Sequence, residues 1–278
     1  MFDGEEFRLS PQMVVRHKRP AQQSLGFMQL ARLAAGLGVL VFVGYYARSV
    51  LAGIAVLVLL VVPVILGTVK PLSAWMVAKL LPGVMREVSI ATRKVRAELL
   101  KSPRGRVLDV GAGTGEYWRY MDPTSTVVAV EPNPYLRDTL LHKAAKAPCT
   151  ILVRTGFIGD LLPDEAATFD LVILGNVLCE VPSQDAILAQ VDALLKPGGR
   201  VFFCEHVAYP RGSWRRILQR AIAPWWARVS DGCHCDRDSL DAIKRQRGWD
   251  VMPNTTYELS GGLPWIGRFE IGLAVKRP

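Results

Sequence analysis

The apolar and polar positions divide this chain into unlike parts. Residues 1–32 are mixed and basic. Residues 33–47 form an uncharged run, Arg48 interrupts it, and residues 50–69 form a second run. About 20 apolar residues suffice to cross a bilayer core, which the second run meets and the first does not. Two arrangements fit: a single span over 50–69 after an interfacial helix, or a hairpin turning at Arg48. Pro63 lies within the second run, where membrane helices tolerate it. The runs begin too deep and extend too far for a cleaved signal peptide. The absence of a polar stripe disfavours a buried helix pair. Beyond Lys70, "SAWMVAKLLPGVMREV" returns to mixed character. The pattern predicts a membrane-anchoring region over 1–80, a linker with an amphipathic helix over 81–104, and a globular domain over 105–278.

From about residue 104 short β-branched runs alternate with helical stretches. "RVLDV", "TVVAVEP", "TILV", "FDLVILG" and "GGRVFFCEH" read as successive strands. Such runs imply a mainly parallel sheet covered on both faces. Ligands of that layout sit outside the carboxyl ends of the strands. Trp214, Ile217, Leu218, Ala221 and Ile222 then recur at helical spacing, with Arg215, Arg216 and Arg220 elsewhere on the turn. This predicts an amphipathic helix ending at Pro224, its stripe facing either the core or a membrane interface. "WDVMPNTTYEL" and "RFEIGLAVKRP" read as a closing antiparallel pair.

Charge sharpens the division. Of the formal +9, residues 1–100 supply +7, from 12 Lys and Arg against 5 acids, so the other 178 residues carry +2. Basic flanks around an apolar segment suit anionic lipid head groups. A nucleic-acid footprint would place the basic stripe on the globular part, so no nucleic-acid partner is expected. Five cysteines without framework spacing point to reduced thiols. Cys233 and Cys235 are too close together for a zinc knuckle, and no metal is expected.

The chemistry concentrates at "DVGAGTG". Gly111, Gly113 and Gly115 close the first strand, where small residues let a ligand approach the backbone and a following helix would offer free N–H groups. A dinucleotide loop would read G-x-G-x-x-G, and here the third glycine comes one residue early. Asp109 precedes the glycines. Glu131 ends the next strand about 20 residues on, where a carboxylate holds a ribose diol. Acid-G-x-G-x-G, this second acid and "LKPGGRVFF" together resemble the class I S-adenosylmethionine-dependent methyltransferases.

The resemblance implies an α/β, Rossmann-like fold: a mostly parallel seven-stranded sheet with an antiparallel last strand. Its implied cofactor is S-adenosylmethionine. Asp109, Gly111, Ala112, Gly113 and Gly115 would orient the methionine part. Glu131, with Pro132 and Asn133, would hold the ribose, Phe157 would border the adenine, and Asn176 and Val177 would line the donor pocket. "NVLCEV", "FFCEHVAYPRGSWRRILQRAIAPWW" and "DGCHCDRDS" further resemble the membrane-associated thiol S-methyltransferases, over residues 107–275. The resemblance implies small lipophilic thiol acceptors, and a cytosol-facing domain anchored at the endoplasmic reticulum or lipid droplets. Deletion of residues 1–80 is expected to release a soluble, donor-competent domain. His206, Glu205 and Asp231 are the candidate bases by position, while Cys179 and Cys233 are expected to line the pocket. Methylation of a lipid amine or a quinone-type phenol is the alternative, and a non-catalytic lipid-surface protein a further one.

Overall fold

The computed structural model describes residues 27–161, 164–259 and 263–278. The basic segment expected over the first 26 residues lies outside them. The chain divides into two compact units, Met1–Val56 and Leu57–Pro278. Helix α1 (Phe27–Thr68) runs without a break through Arg48, so the hairpin turning there is not formed. Its window Gly36–Val58 is long and apolar enough to cross a membrane, with none of it buried.

Within the second unit, α2 (Lys70–Leu100) is one continuous helix. It joins the end of the expected anchor to most of the expected linker, ending at Leu100. Its buried residues Met85, Val88, Thr92, Arg96 and Leu100 follow the helical repeat. Exposed Pro82 sits on the outer side, where a lost hydrogen bond is replaced by water.

The sheet contains β1 (Arg106–Val110), β2 (Thr126–Glu131), β3 (Thr150–Thr155), β4 (Phe169–Gly175), β5 (Leu195–His206), β6 (Trp249–Val251), β7 (Thr255–Glu258) and β8 (Arg268–Lys276). Its order is β3-β2-β1-β4-β5-β8-β6, with β7 also on β8. The first five strands are parallel, and β8 is antiparallel to β5. β6 and β7 share one lane, since Val251 faces Ala274 and Thr255 faces Ile271. The edge strand thus spends one residue more than β8 over that step, as a bulge does, with Pro253 in the break. Eight strand segments therefore fill the seven expected positions.

One face of the sheet packs Leu108, Val172, Val201 and Phe203 beneath α4 (Gln184–Leu194) and α6 (Ser239–Lys244). The other packs Val107, Ile173 and Phe202 with Val88 and Leu100 of α2 and Leu140 of α3 (Arg137–Ala144). Each large side chain so buried contributes about 1.5–3 kcal/mol. The helix expected after the glycines is absent. Only a single 3-10 turn, Trp118–Tyr120, connects to β2. Gly111, Gly113 and Gly115 all take positive φ, which a helix cannot continue through, and α2 covers the face left bare.

Helix α5 (Trp214–Val229) also departs from expectation. It continues past Pro224 to Val229. Its inward residues are Gln219, Ala223 and Val229, while Trp214 and Ile217 are 64% and 67% exposed. The buried Gln219 side chain fixes the helix by bonding the carbonyls of Val207, Cys235 and Trp265 and accepting from the Tyr209 N–H. This network holds the helix across the proline, and it turns the apolar stripe away from the core.

Candidate active site

The carboxyl ends of β1, β2, β4 and β5 converge with the turn after α5. At β1 the chain turns through Gly111, whose missing Cβ would lie 3.1 Å from the Val177 side chain. A side chain at Gly115 would strike the Trp118 ring at 2.9 Å. Asp109 is buried beneath this loop and accepts a 2.8 Å bond from Trp118 Nε1. Burial pushes its pKa up to about 7, against the Trp118 bond, with Glu131 adding to the rise. Glu131 accepts the Gly113 and Asn133 N–H groups, one on each oxygen, both at 2.8 Å. Burial raises its pKa, and those two bonds oppose the rise. The β2 acid thereby ties its own turn to the glycine loop.

Pro132 is exposed, and Asn133 donates to the Ala74 carbonyl of α2 at 3.0 Å. Phe157 stands 69% exposed beyond β3, its N–H bonded to Asp160 Oδ2 at 2.7 Å. Asp160, without a role in the sequence reading, closes that loop. Asn176 has a φ of 60°, a left-handed conformation that asparagine tolerates. Its Oδ1 accepts the His206 N–H at 3.1 Å, and its Nδ2 meets Met85 Sδ at 3.6 Å.

The three candidate bases separate. Glu205 is fully buried and accepts from the N–H groups of Val177, at 2.9 Å, and Leu178, at 3.2 Å. Burial brings its pKa up to about 7, these bonds opposing. The carboxylate thus anchors the loop after β4. Asp231 is half-buried at a strained φ of 56°, and accepts from Ser73 Oγ at 3.4 Å. Its pKa is raised by burial, against the Ser73 bond. His206 closes β5 with Nε2 2.9 Å from Cys233 Sγ. Burial lowers the His206 pKa, but the adjacent Cys233 outweighs it and the net shift is upward. Cys233 is held well below the usual thiol value by Cys179 and His206, despite its burial.

Two features escaped the sequence reading. The N-terminal half of α2 touches four loops of the site: Ser73 at Asp231, Ala74 at Asn133, Leu81 beside Gly113 and Met85 at Asn176. Its amphipathic repeat was visible, but its place on the crevice was not. Cys179, His206 and Cys233 also meet, although they stand far apart in sequence. A separate cavity of about 680 Å³, bordered by Arg119, His142, Lys143 and Lys146, shares no residue with the glycine loop.

Comparison with known proteins fits this geometry. A family profile described as a methyltransferase domain matches residues 85–253, more than half of the chain. The chain belongs to the methyltransferase family. It is a class I S-adenosylmethionine-dependent methyltransferase, with S-adenosylmethionine as its cofactor. Among relatives of this methyltransferase, thiol S-methyltransferase TMT1B of Homo sapiens is 30% identical over 224 residues, 76% of this chain and 91% of the relative. The Rattus norvegicus TMT1B is 33% identical over 174 residues, 61% of this chain and 70% of the relative. The ubiquinone/menaquinone biosynthesis C-methyltransferase UbiE of Burkholderia mallei (strain SAVP1) is 28% identical over 184 residues, 58% of this chain and 73% of the relative. Solved structures are similar in fold alone. The Bacillus YcgJ protein gives a TM-score of 0.53 at 14% identity, covering 68% of this chain and 98% of its own. The methyltransferase solved with the Haloferax volcanii Trm112 activator gives 0.53 at 14%, with 71% and 93% covered.

The donor's groups suit the residues present. Asp109 and Glu131 are buried carboxylates, a chemistry compatible with a cationic, ribose-bearing ligand, and Gly111, Gly113 and Gly115 bring no side chain to the turn. Thr114 Oγ1, buried inside that turn, has no hydrogen-bond partner among the described residues.

Proposed function

We propose that this methyltransferase converts small lipophilic alkyl thiols to methyl thioethers while anchored in a membrane. The observation that carries the reading is the likeness to the human thiol S-methyltransferase over 91% of that protein. The local chemistry suits it, because a thiol-and-imidazole corner adjoins Asn176 and Val177 of the donor pocket. Trp226 packs edge-on to Trp265, centroids 5.8 Å apart, in the segment leading to Cys233, and offers apolar surface for an alkyl chain.

When bound, the donor supplies a sulfonium methyl that a nucleophile displaces in line. Glu131 would hold the ribose end, Asp109 and the glycine turn would meet the methionine end, and exposed Phe157 would lie against the adenine. Gly111, Ala112, Gly113, Gly115, Pro132, Asn133, Asn176 and Val177 complete the donor site. The acceptor thiol loses its proton at the corner formed by His206, Cys179 and Cys233. An unperturbed alkyl thiol has a pKa of about 8.5, so this step sets the nucleophile's concentration near neutrality. Glu205 positions the loop that carries Val177. Asp231 borders the crevice beside Ser73.

The apolar window of α1 supports membrane attachment, and the exposed stripe of α5, with Arg220 and Arg228 beside it, supports a second contact with anionic lipid. Five free cysteines suit a cytosol-facing domain, which at the endoplasmic reticulum or a lipid droplet would meet lipophilic thiols. The likeness to UbiE favours, as a second reading, methylation of a quinone-type ring on the same fold.

The test is a product-resolved assay of the full chain with labelled donor, presenting an alkyl thiol, a quinol and phosphatidylethanolamine in parallel. A labelled thioether is expected. Label in the quinol or the lipid amine, with none in the thiol, would remove the thiol reading.

A further inference from the structure

Three loops at the carboxyl edge of the sheet each deliver one soft ligand. Cys179 follows β4, His206 ends β5, and Cys233 follows α5. The two Sγ atoms and one imidazole nitrogen all lie within 4.8 Å of one another, and all three residues are buried. Each is seated by its own backbone. The Cys179 carbonyl accepts the His234 N–H at 2.8 Å. The His206 N–H is bonded to Asn176 Oδ1. The Cys233 N–H reaches the Ser230 carbonyl at 3.2 Å across a turn whose Asp231 and Gly232 both have positive φ. Neighbouring Cys235 is not part of the cluster, since its thiol points to the Gln219 carbonyl at 3.8 Å.

Two thiolates and an imidazole are a donor set suited to zinc. Zinc–sulfur bonds of about 2.3 Å and zinc–nitrogen bonds of about 2.0–2.1 Å place tetrahedral ligand atoms about 3.5–3.8 Å apart. The present separations, 2.9 Å between His206 Nε2 and Cys233 Sγ and no pair beyond 4.8 Å, reach that spacing through side-chain adjustments of about 1 Å. Three protein ligands leave the fourth position open, as catalytic zinc sites do.

We propose that Cys179, His206 and Cys233 bind a zinc ion whose open position takes the acceptor thiol as its thiolate. The inference rests on the thiol reading and specifies how that thiol is activated. On binding, the acceptor S–H bond breaks and its proton passes to water, because a coordinated thiol is held deprotonated. The acceptor sulfur then forms a bond to the donor methyl. The methyl–sulfonium bond breaks with its electron pair going to the donor sulfur, which becomes a neutral thioether. The methylated acceptor is likewise neutral, binds zinc weakly, and leaves to water. His206 acts here as a ligand, and the metal does the work otherwise asked of a base.

The experiment uses the full chain, purified without chelator. Elemental analysis is expected to find about one zinc per chain, lost in Cys233→Ser and Cys179→Ser. Donor affinity, measured by calorimetry, is expected to survive in both variants and so to exclude misfolding. Cobalt(II) replacing zinc should give the near-ultraviolet thiolate band and intense visible bands of a tetrahedral site. The visible bands should shift when 1-propanethiol is added without donor. A free thiol of pKa about 8.5 is only about 3% ionised at pH 7, so stripping the metal should cost about 30-fold in kcat/KM at that pH. The stripped enzyme should gain rate with pH up to about 8.5, while the zinc-restored enzyme stays nearly flat. Metal-free protein that methylates thiols at full rate would overturn the zinc site and leave the thiol reading intact. A cobalt site whose spectrum ignores thiols would overturn the activating role. If the zinc-loaded enzyme also makes no thioether, the thiol reading falls with it.

Discussion

The buried carboxyl of Asp109 has a measurable energetic signature. Its pKa stands near 7 in the folded chain against an ordinary 3.8. The native state therefore holds a proton that the unfolded chain releases between those values. Stability from this group is complete below about pH 4 and declines as pH rises toward 7, by about 4 kcal/mol in all. Asp109→Asn keeps an acceptor for Trp118 Nε1 and has no charge to bury. Urea unfolding of the donor-free protein at pH 5 and pH 8 is expected to show wild type losing about 2–3 kcal/mol more than the variant. Equal losses would mean that Asp109 is solvated in the folded protein. The same proton should leave when the donor's cationic end arrives. Donor affinity should then rise between pH 6 and pH 8, and its calorimetric enthalpy should depend on the buffer's ionisation heat.

At the scale of elements, α2 joins the apolar N-terminal sequence to the crevice. Its C-terminal half is core, with Val88 and Leu100 against the sheet. Its N-terminal half reaches Asn133, Gly113, Asn176 and Asp231. A chain beginning at residue 70 is expected to fold and to bind donor. A chain beginning at residue 81 should fold less stably and bind donor at least about tenfold more weakly, because the contacts from Ser73 and Ala74 are gone. Calorimetry on the two truncations compares them directly, and equal affinities would remove residues 70–80 of α2 from the site. The strands were legible in sequence because a strand buried on both faces writes itself as a short β-branched run. The donor loop was legible because glycine is the residue that left-handed turns favour. The course of α2 was not, since a helical repeat says which face is buried but not what it meets. Pro224 misled because a proline breaks a helix only where nothing else holds the chain, and Gln219 holds it here. The corner of Cys179, His206 and Cys233 left no local trace. His206 stands 27 residues from Cys233, and only the sheet topology joins them to Cys179.

At the scale of the whole molecule, the chain carries two exposed apolar helical surfaces with basic residues alongside. One is the Gly36–Val58 window of α1, and the other is the stripe of Trp214 and Ile217 on α5. Exposed apolar area of this size in water favours burial against another apolar phase, at about 25 cal/mol per Å². The two should differ in what they require. A hydrophobic span inserts whatever the head group, whereas a stripe flanked by Arg220 and Arg228 needs negative charge nearby. The full chain is therefore expected to float with both neutral and anionic vesicles. The chain beginning at residue 70 should bind anionic vesicles alone, and release them as salt rises past about 0.5 M. Each arginine near such a surface contributes about 1 kcal/mol, so replacing Arg220 and Arg228 by Ala should weaken this remaining binding about 30-fold. Trp214→Glu should weaken it as well, by removing apolar area and adding repulsion. Equal binding of the shortened chain to neutral and anionic vesicles would show that the α5 surface is not what holds it there.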